Sequence, residues 1–293
     1  MDEASYVDQR AWKEVLRPTL SDTGGRALFI SSPSGRDWFY ELWQNGQSEE
    51  PDWASWQFST IEGGRVPDHE VESARRDLDD RTFTQEYEAA FVSYFGVVYH
   101  AFKFEANVVE AGIDNTQGLH IGMDFNIDPM SAVVAQIRDD GTMDIVDEIV
   151  IYSSDTNEMC EEILGRYEGY PVTIYPDPAS TQRQTSAGGR TDLSILQDYG
   201  FRCRHRNRHP AIRDRVNSVN AMFQNAYGDS RLFVDADCKN LIRSLERQTY
   251  KEGTSLPDKT QGYDHINDAL GYMIEYLFPI SSNNIQHSRL SGL

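Results

Sequence analysis

Long apolar runs, paired cysteines and positive charge are all scarce in this chain of 293 residues. No stretch approaches the roughly eighteen consecutive apolar residues that span a bilayer. The opening MDEASYVDQR is acidic where a secretory leader would be basic and then apolar, so the expected place is the cytoplasm, with no membrane partner. Three cysteines, Cys160, Cys203 and Cys238, are too few and too scattered for a disulfide framework or a CxxC metal site, and read as reduced thiols. Lys and Arg number 27 against 47 Asp and Glu, a formal charge of −20. That balance argues against adhesion to nucleic acid by the surface as a whole, because phosphate binding depends on basic side chains displacing counterions. Internal repeats are absent too.

Apolar residues make up 39% of the chain and include five Trp, fifteen Tyr and thirteen Phe, enough for a sizeable core in one or two domains. One segment reverses the charge balance. FRCRHRNRHPAIRDR carries Arg202, Arg204, Arg206, Arg208, Arg213 and Arg215 with His205 and His209. A solvated loop of weak surface ion pairs would account for it; a patch that contacts phosphate is the alternative carried forward, with Arg202, Arg204, Arg206 and Arg208 as candidate DNA contacts.

The first hundred residues mix short apolar runs such as ALFISS with aromatic-rich segments. From residue 119 the order becomes legible. LHIGMDF, SAVVAQIR and MDIVDEIVIY read as three strands joined by short turn sequences, hence an antiparallel meander. TNEMCEEILGRYEG reads as a helix capped by Thr156, PVTIYPD as a strand, TDLSILQDYG as a helix and FRCRH as a strand. Helices are expected at AIRDRVNSVNAMFQNAYG, DADCKNLIRSLERQTY and GYDHINDALGYMIEYLF, and the tail 281–293 is expected to be disordered. This order suggests a mixed sheet flanked by helices, the ribonuclease H arrangement.

Within GLHIGMDF, period-two alternation puts Ile121 and Met123 on one side and Gly122 and Asp124 on the other. A carboxylate aimed across a sheet face needs a partner, because a buried unpaired charge costs several kcal/mol. Asp124 ends the first strand, Asp177 ends the TIYPD strand, and Asp264 and Asp268 lie one turn apart on the last helix. In a ribonuclease H sheet these four would meet. Hard oxygen ligands suit two Mg²⁺ or Mn²⁺ ions and phosphodiester hydrolysis. Each acid also has a plainer explanation: Asp124 and Asp177 as turn residues, Asp264 as a helix N-terminal acid. His265 could ligate or orient the same metal or lie at the surface, and Glu148 on the third strand is a further candidate.

The ordered set of motifs resembles the large terminase subunit of tailed double-stranded DNA bacteriophages. MDEAS resembles the end of a Walker B motif with its glutamate, ALFISSPSG the coupling motif, and FTQEYEAAFVSYFGVVYHAF the junction between ATPase and nuclease. IGMDFN, IYPDPAS and YDHINDALGYMIEY resemble nuclease motifs one to three. The resemblance implies an ATPase remnant and linker over 1–100 and a ribonuclease H-like nuclease over 101–280. It further implies metal ligation by Asp124, Asp177 and Asp268, with the choice among Asp264, His265 and Asp268 open in motif three. Asp2 and Glu3 would be Walker B relics, and Ser31 and Ser32 coupling residues. A phosphate-binding GxxxxGK[ST] run is missing, so ATP hydrolysis is not expected of this chain by itself. The function implied is a two-metal-ion endonuclease that cuts concatemeric double-stranded DNA during packaging, in the host cytoplasm. Portal protein and the small terminase subunit are further implied partners. Two alternatives are a packaging-motor subunit whose ATPase site another chain completes, and an inactive prophage remnant.

Overall fold

Alternating apolar residues build the sheet that organises the molecule. The computed structural model describes residues 1–21, 23–34, 37–48, 50–92, 96–181 and 190–280, so the tail expected to be disordered lies outside the described residues. Among the described residues seven strands form one sheet: β1 (Val108–Val109), β2 (Leu119–Asp124), β3 (Met130–Ile137), β4 (Met143–Ile151), β5 (Val172–Pro176), β6 (Arg202–Cys203) and β7 (Leu232–Asp235). Their order is β1-β7-β4-β3-β2-β5-β6. β2, β3 and β4 form the expected antiparallel meander, and every other neighbouring pair is parallel. The sheet is therefore mixed, and the strand ending in Asp124 lies directly against the strand preceding Asp177.

β7 is not among the strands expected from the sequence. RLFVD offers too few residues to show a period, and its pairing with both β1 and β4 is decided by tertiary contacts. A second departure is a bulge in β4. Val134 faces Asp147 and Ala135 faces Ile145, which leaves Val146 as the extra residue. The insertion shifts the phase of the strand: Met143 and Ile145 join the core on one face, and Ile149 joins the core on the other.

Helices α1 (Arg17–Ser21), α2 (Trp38–Gln47), α3 (Thr60–Gly63), α4 (Asp68–Asp77) and α5 (Asp80–Tyr87) precede the sheet, and α6 (Phe104–Asn107) leads into β1. α7 (Thr156–Arg166) and α8 (Asp192–Asp198) cover one face; α9 (Ile212–Phe223), α10 (Lys239–Arg247) and α11 (Asp264–Leu277) cover the other. Among the described residues no helix is long and apolar enough to cross a membrane. The cap of α7 is Asp155 and not the expected Thr156. The Asp155 carboxylate accepts from the backbone N–H groups of Asn157 and Glu158, while the Thr156 hydroxyl donates to Asp192 at 2.6 Å and ties α7 to α8. The segment entering the sheet is fastened by two buried amides. Asn220 bonds Val98 and Ala101, and Asn107 bonds the carbonyls of Phe223 and Leu232.

Candidate active site

α11 is buried almost all round, and two stripes run along it. Ile266, Ala269, Leu270, Met273 and Ile274 recur at helical spacing and enter the core. Asp264, Asp268, Tyr272 and Glu275 form the second stripe, and its three acids are only 3%, 8% and 7% exposed. Gly122 brings this helix onto β2. A Cβ at that position would lie 2.2 Å from the Ala269 carbonyl oxygen, so only glycine permits the approach. Gly122 and Asp124 share one face of β2, and the close approach sets Asp124 beside the N-terminal turn of α11.

Each acid there meets a base. The His265 ring places Nδ1 3.1 Å from Asp124 Oδ2 and Nε2 3.0 Å from the Asn126 side-chain nitrogen. A tautomer protonated at Nδ1 satisfies both contacts, donating to the carboxylate and accepting from the amide. Burial pushes the Asp124 carboxyl up from its ordinary value; the His265 bond opposes this, and the charges of Asp268 and Asp177 add to it. The bond to Asp124 raises His265 in turn. Asp177 accepts from the Ala179 N–H at 2.8 Å, the turn role open to it in the sequence, and also faces His209 Nδ1 at 3.4 Å.

Asp268 holds two cations at once. Arg215 donates to Oδ1 at 2.7 Å and Lys259 to Oδ2 at 2.8 Å. Arg215 is itself buried, with its guanidinium 4.4 Å from the Tyr272 ring centroid and its stem lying where a Cβ on Gly271 would clash. Burial pushes the Tyr272 phenol up; Arg215 opposes, while the charges of Asp177, Asp268 and Asp124 reinforce it. Lys259 Nζ also lies 3.6 Å from Asp264 Oδ2. Asp264 Oδ1 is buried and has no hydrogen-bond donor among the described residues, where His265 Nε2 lies 3.9 Å away. The acids thus occupy one region but face basic partners. Among the described residues no three His, Cys, Asp or Glu side chains converge closely enough to hold an ion as they stand.

Other candidates lie elsewhere. Glu148 accepts from the backbone N–H groups of Asn240 and Leu241 and so caps α10. The arginine stretch divides. Arg206 forks onto Glu275 and lies over Tyr276, Arg213 pairs with Glu86, and Arg215 belongs to the acid site. Arg202, Arg204 and Arg208 are exposed and make no ion pair among the described residues. Asp2 and Glu3 are exposed at the far end of the chain, where Ser31 Oγ lies 3.5 Å from Glu3 and Ser32 accepts from the Ser5 hydroxyl through its carbonyl. Sequence reasoning missed Arg215, Lys259, His209 and Tyr272 as parts of the acid site. Only Gly271, a glycine inside a helix, signalled a close approach there.

The family model for the terminase RNaseH-like domain matches residues 121–277, the span from β2 to the end of α11. The large terminase subunit of Escherichia phage T5 is 28% identical over 292 aligned positions, covering 93% of this chain. The chain spans 64% of the length of that relative. The large subunit of Thermus phage G20c is 33% identical over 113 residues, covering 34% of this chain and 23% of its own. Among solved structures, the large terminase of a thermophilic bacteriophage superposes with a TM-score of 0.68 at 14% identity, over 94% of this chain and 67% of that one, a likeness of fold.

Proposed function

Because this chain belongs to the terminase RNaseH-like domain family, we propose that it is a metal-dependent DNA endonuclease of phage packaging, with its site at the junction of β2, β5 and α11. The observation that carries the proposal is the four aspartates on or directly after these three elements. Asp124 and Asp264 are nearly fully buried, and one Asp264 oxygen lacks any donor. A buried carboxylate oxygen with no donor fits a site built for a cation. A donor set dominated by carboxylate oxygens, with one imidazole beside it, suits Mg²⁺ or Mn²⁺. Asp124, Asp177 and Asp268 would hold two such ions, with Asp264 and His265 as the adjoining donors. When bound, the ions supply an activated water and charge neutralisation at the phosphodiester.

The chain's own residues do the positioning. Asn126 orients the His265 ring, which in turn holds Asp124. Arg215, stacked on Tyr272, fixes the rotamer of Asp268. Arg202 in β6, with Arg204 and Arg208 just after it, is exposed, and these three offer cations to the DNA backbone where the chain as a whole is acidic.

Plasmid cleavage tests the proposal. With Mn²⁺ or Mg²⁺ the chain nicks or cuts DNA with little sequence preference, and EDTA abolishes it. Asp124→Asn lowers the rate by at least about a hundredfold, the scale of losing one electrostatic group from an active site, while circular dichroism stays that of the parent. Parent-rate cleavage by that variant would remove Asp124 from the site. Replacing Arg202, Arg204 and Arg208 together by Gln flattens the dependence of DNA affinity on salt, by about 0.9 in log–log slope for each phosphate no longer neutralised. An unchanged slope returns those side chains to solvent.

A further inference from the structure

We propose that Lys259 is a displaceable occupant of the acid site: its ammonium holds the place at Asp264 and Asp268 that a divalent ion takes on loading, and thereby sets how much metal the protein needs. The inference rests on the metal-dependent reading above. Its starting point is that Asp268 has two cationic partners of opposite character. Arg215 is 6% exposed, bonded at 2.7 Å, stacked on Tyr272 and wedged against Gly271, so it cannot leave without opening the core. The Lys259 side chain is 52% exposed, yet its ammonium reaches two buried carboxylates one helical turn apart, at 2.8 and 3.6 Å. One partner is built in. The other can swing away.

The segment that carries Lys259 is suited to such a swing. Among the described residues, 251–262 join the chain before them through an isolated bridge between Tyr250 and Pro257 and the bond from Asp258 N–H to Thr249, while the bond from Lys251 N–H to Leu256 closes the segment on itself. Gly253 and Gly262, near the two ends of the segment, adopt left-handed φ of 71° and 72°, and Gly262 lies two residues before α11. The Asp258 carboxylate fastens Thr260 locally, without tying the segment to the sheet.

Charge balance explains why an occupant is needed. Asp264 and Asp268 would repel each other and Asp124 if left bare, and Arg215 neutralises only one of them. Lys259 supplies the second positive charge at the spacing of both acids. It leaves Asp264 Oδ1 without a donor, so it fills the place incompletely. A divalent ion brings more charge to the same oxygens, and its binding then competes with the ammonium. Apparent metal affinity is reduced by the fraction of molecules in which the ammonium is seated.

Titration of the full chain with Mn²⁺ alone, by calorimetry at pH 8, tests this without reference to cleavage. Lys259→Met binds Mn²⁺ about fivefold more tightly than the parent, the factor expected from removing one half-exposed ion pair as competitor. Lys259→Arg keeps the charge and stays near the parent. In chelator Lys259→Met melts below the parent, and Mn²⁺ raises its melting temperature by more than it raises the parent's. The proposal is overturned if Lys259→Met binds Mn²⁺ no tighter than the parent while the parent binds and Asp124→Asn does not. If the parent binds Mn²⁺ no better than Asp124→Asn does, the metal-dependent reading itself falls, and this inference with it.

Discussion

Ile121, Met123, Val133 and Met143 of the sheet are fully buried, whereas Leu28, Ile30, Trp56 and Phe58 in the first ninety residues stand 64%, 56%, 69% and 72% exposed. Both regions contain apolar and aromatic side chains in quantity. They differ in what their backbones do with them. The sheet alternates its residues between two helical layers, and each face closes into its own core. The first region has short helices and aromatic clusters such as Tyr40, Trp43 and Phe91, and a small core of Val71, Ala74, Leu78 and Phe83 against Ala226. Its apolar surface is covered only in part by this chain. The candidate acids follow the same division, with Asp124, Asp264 and Asp268 buried on the sheet and the helix packed against it, and Asp2 and Glu3 exposed. A rigid scaffold is where carboxylates can be held against their mutual repulsion.

The contrast is tested most severely at Gly122. An alanine there meets the Ala269 carbonyl at 2.2 Å, backbone that cannot step aside. Gly122→Ala is expected to lower stability by about 3 kcal/mol in urea unfolding, the upper range for overpacked cores, and to slow cleavage by shifting α11 with its acids. Stability close to the parent would mean that the sheet is looser than its packing suggests.

A smaller effect is expected in the first region. Asp79 is fully buried, and its carboxylate accepts from the Thr82 N–H and hydroxyl to cap α5. Asp79→Ala is expected to destabilise α5 by about 1 kcal/mol, seen as faster amide exchange in α4 and α5 and unchanged exchange in β2 and β3. Equal loss in both places would show that the regions unfold as one unit.

Least of all should follow from the largest deletion. The sheet cores draw on residues from Val98 onward, so removing residues 1–95 takes away none of their buried side chains. A chain of 96–293 is expected to unfold cooperatively and to cleave DNA within about twofold of the parent, as an independent domain would. Failure to fold would give structural weight to the few bonds between the regions, the Ala226 N–H to the Leu78 carbonyl and the Arg213–Glu86 pair among them.

What was legible in the sequence follows from the range of the interactions. The alternation in GLHIGMDF is local, and it correctly set Gly122 and Asp124 on the face opposite Ile121 and Met123. Its neighbours in the meander were legible for the same reason. β7 was not, because four residues carry no period and its partners lie far away in the chain. Alternation could raise Glu148 as a candidate, yet its real task, capping α10, depends on Asn240 some 92 residues later. The partnership of Asp268 with Arg215 spans 53 residues, and nothing in either neighbourhood announces it. The arginine stretch shows the same limit: its composition marks a cationic segment, but only the fold separates Arg206, Arg213 and Arg215, already paired, from the exposed Arg202, Arg204 and Arg208.

The strand order leaves one more mark on behaviour in solution. Both outer strands of the sheet, β1 and β6, are two residues long, and β6 begins with an exposed arginine. A neighbouring molecule therefore finds no row of free amides and carbonyls on which to lay a further strand, and a charge stands where it would try. Edge-to-edge zipping of these sheets into fibres on concentration is therefore not expected. Any self-association will come through side-chain surfaces, above all the apolar ones of the first ninety residues, and should dissolve with detergent where a cross-β aggregate would persist.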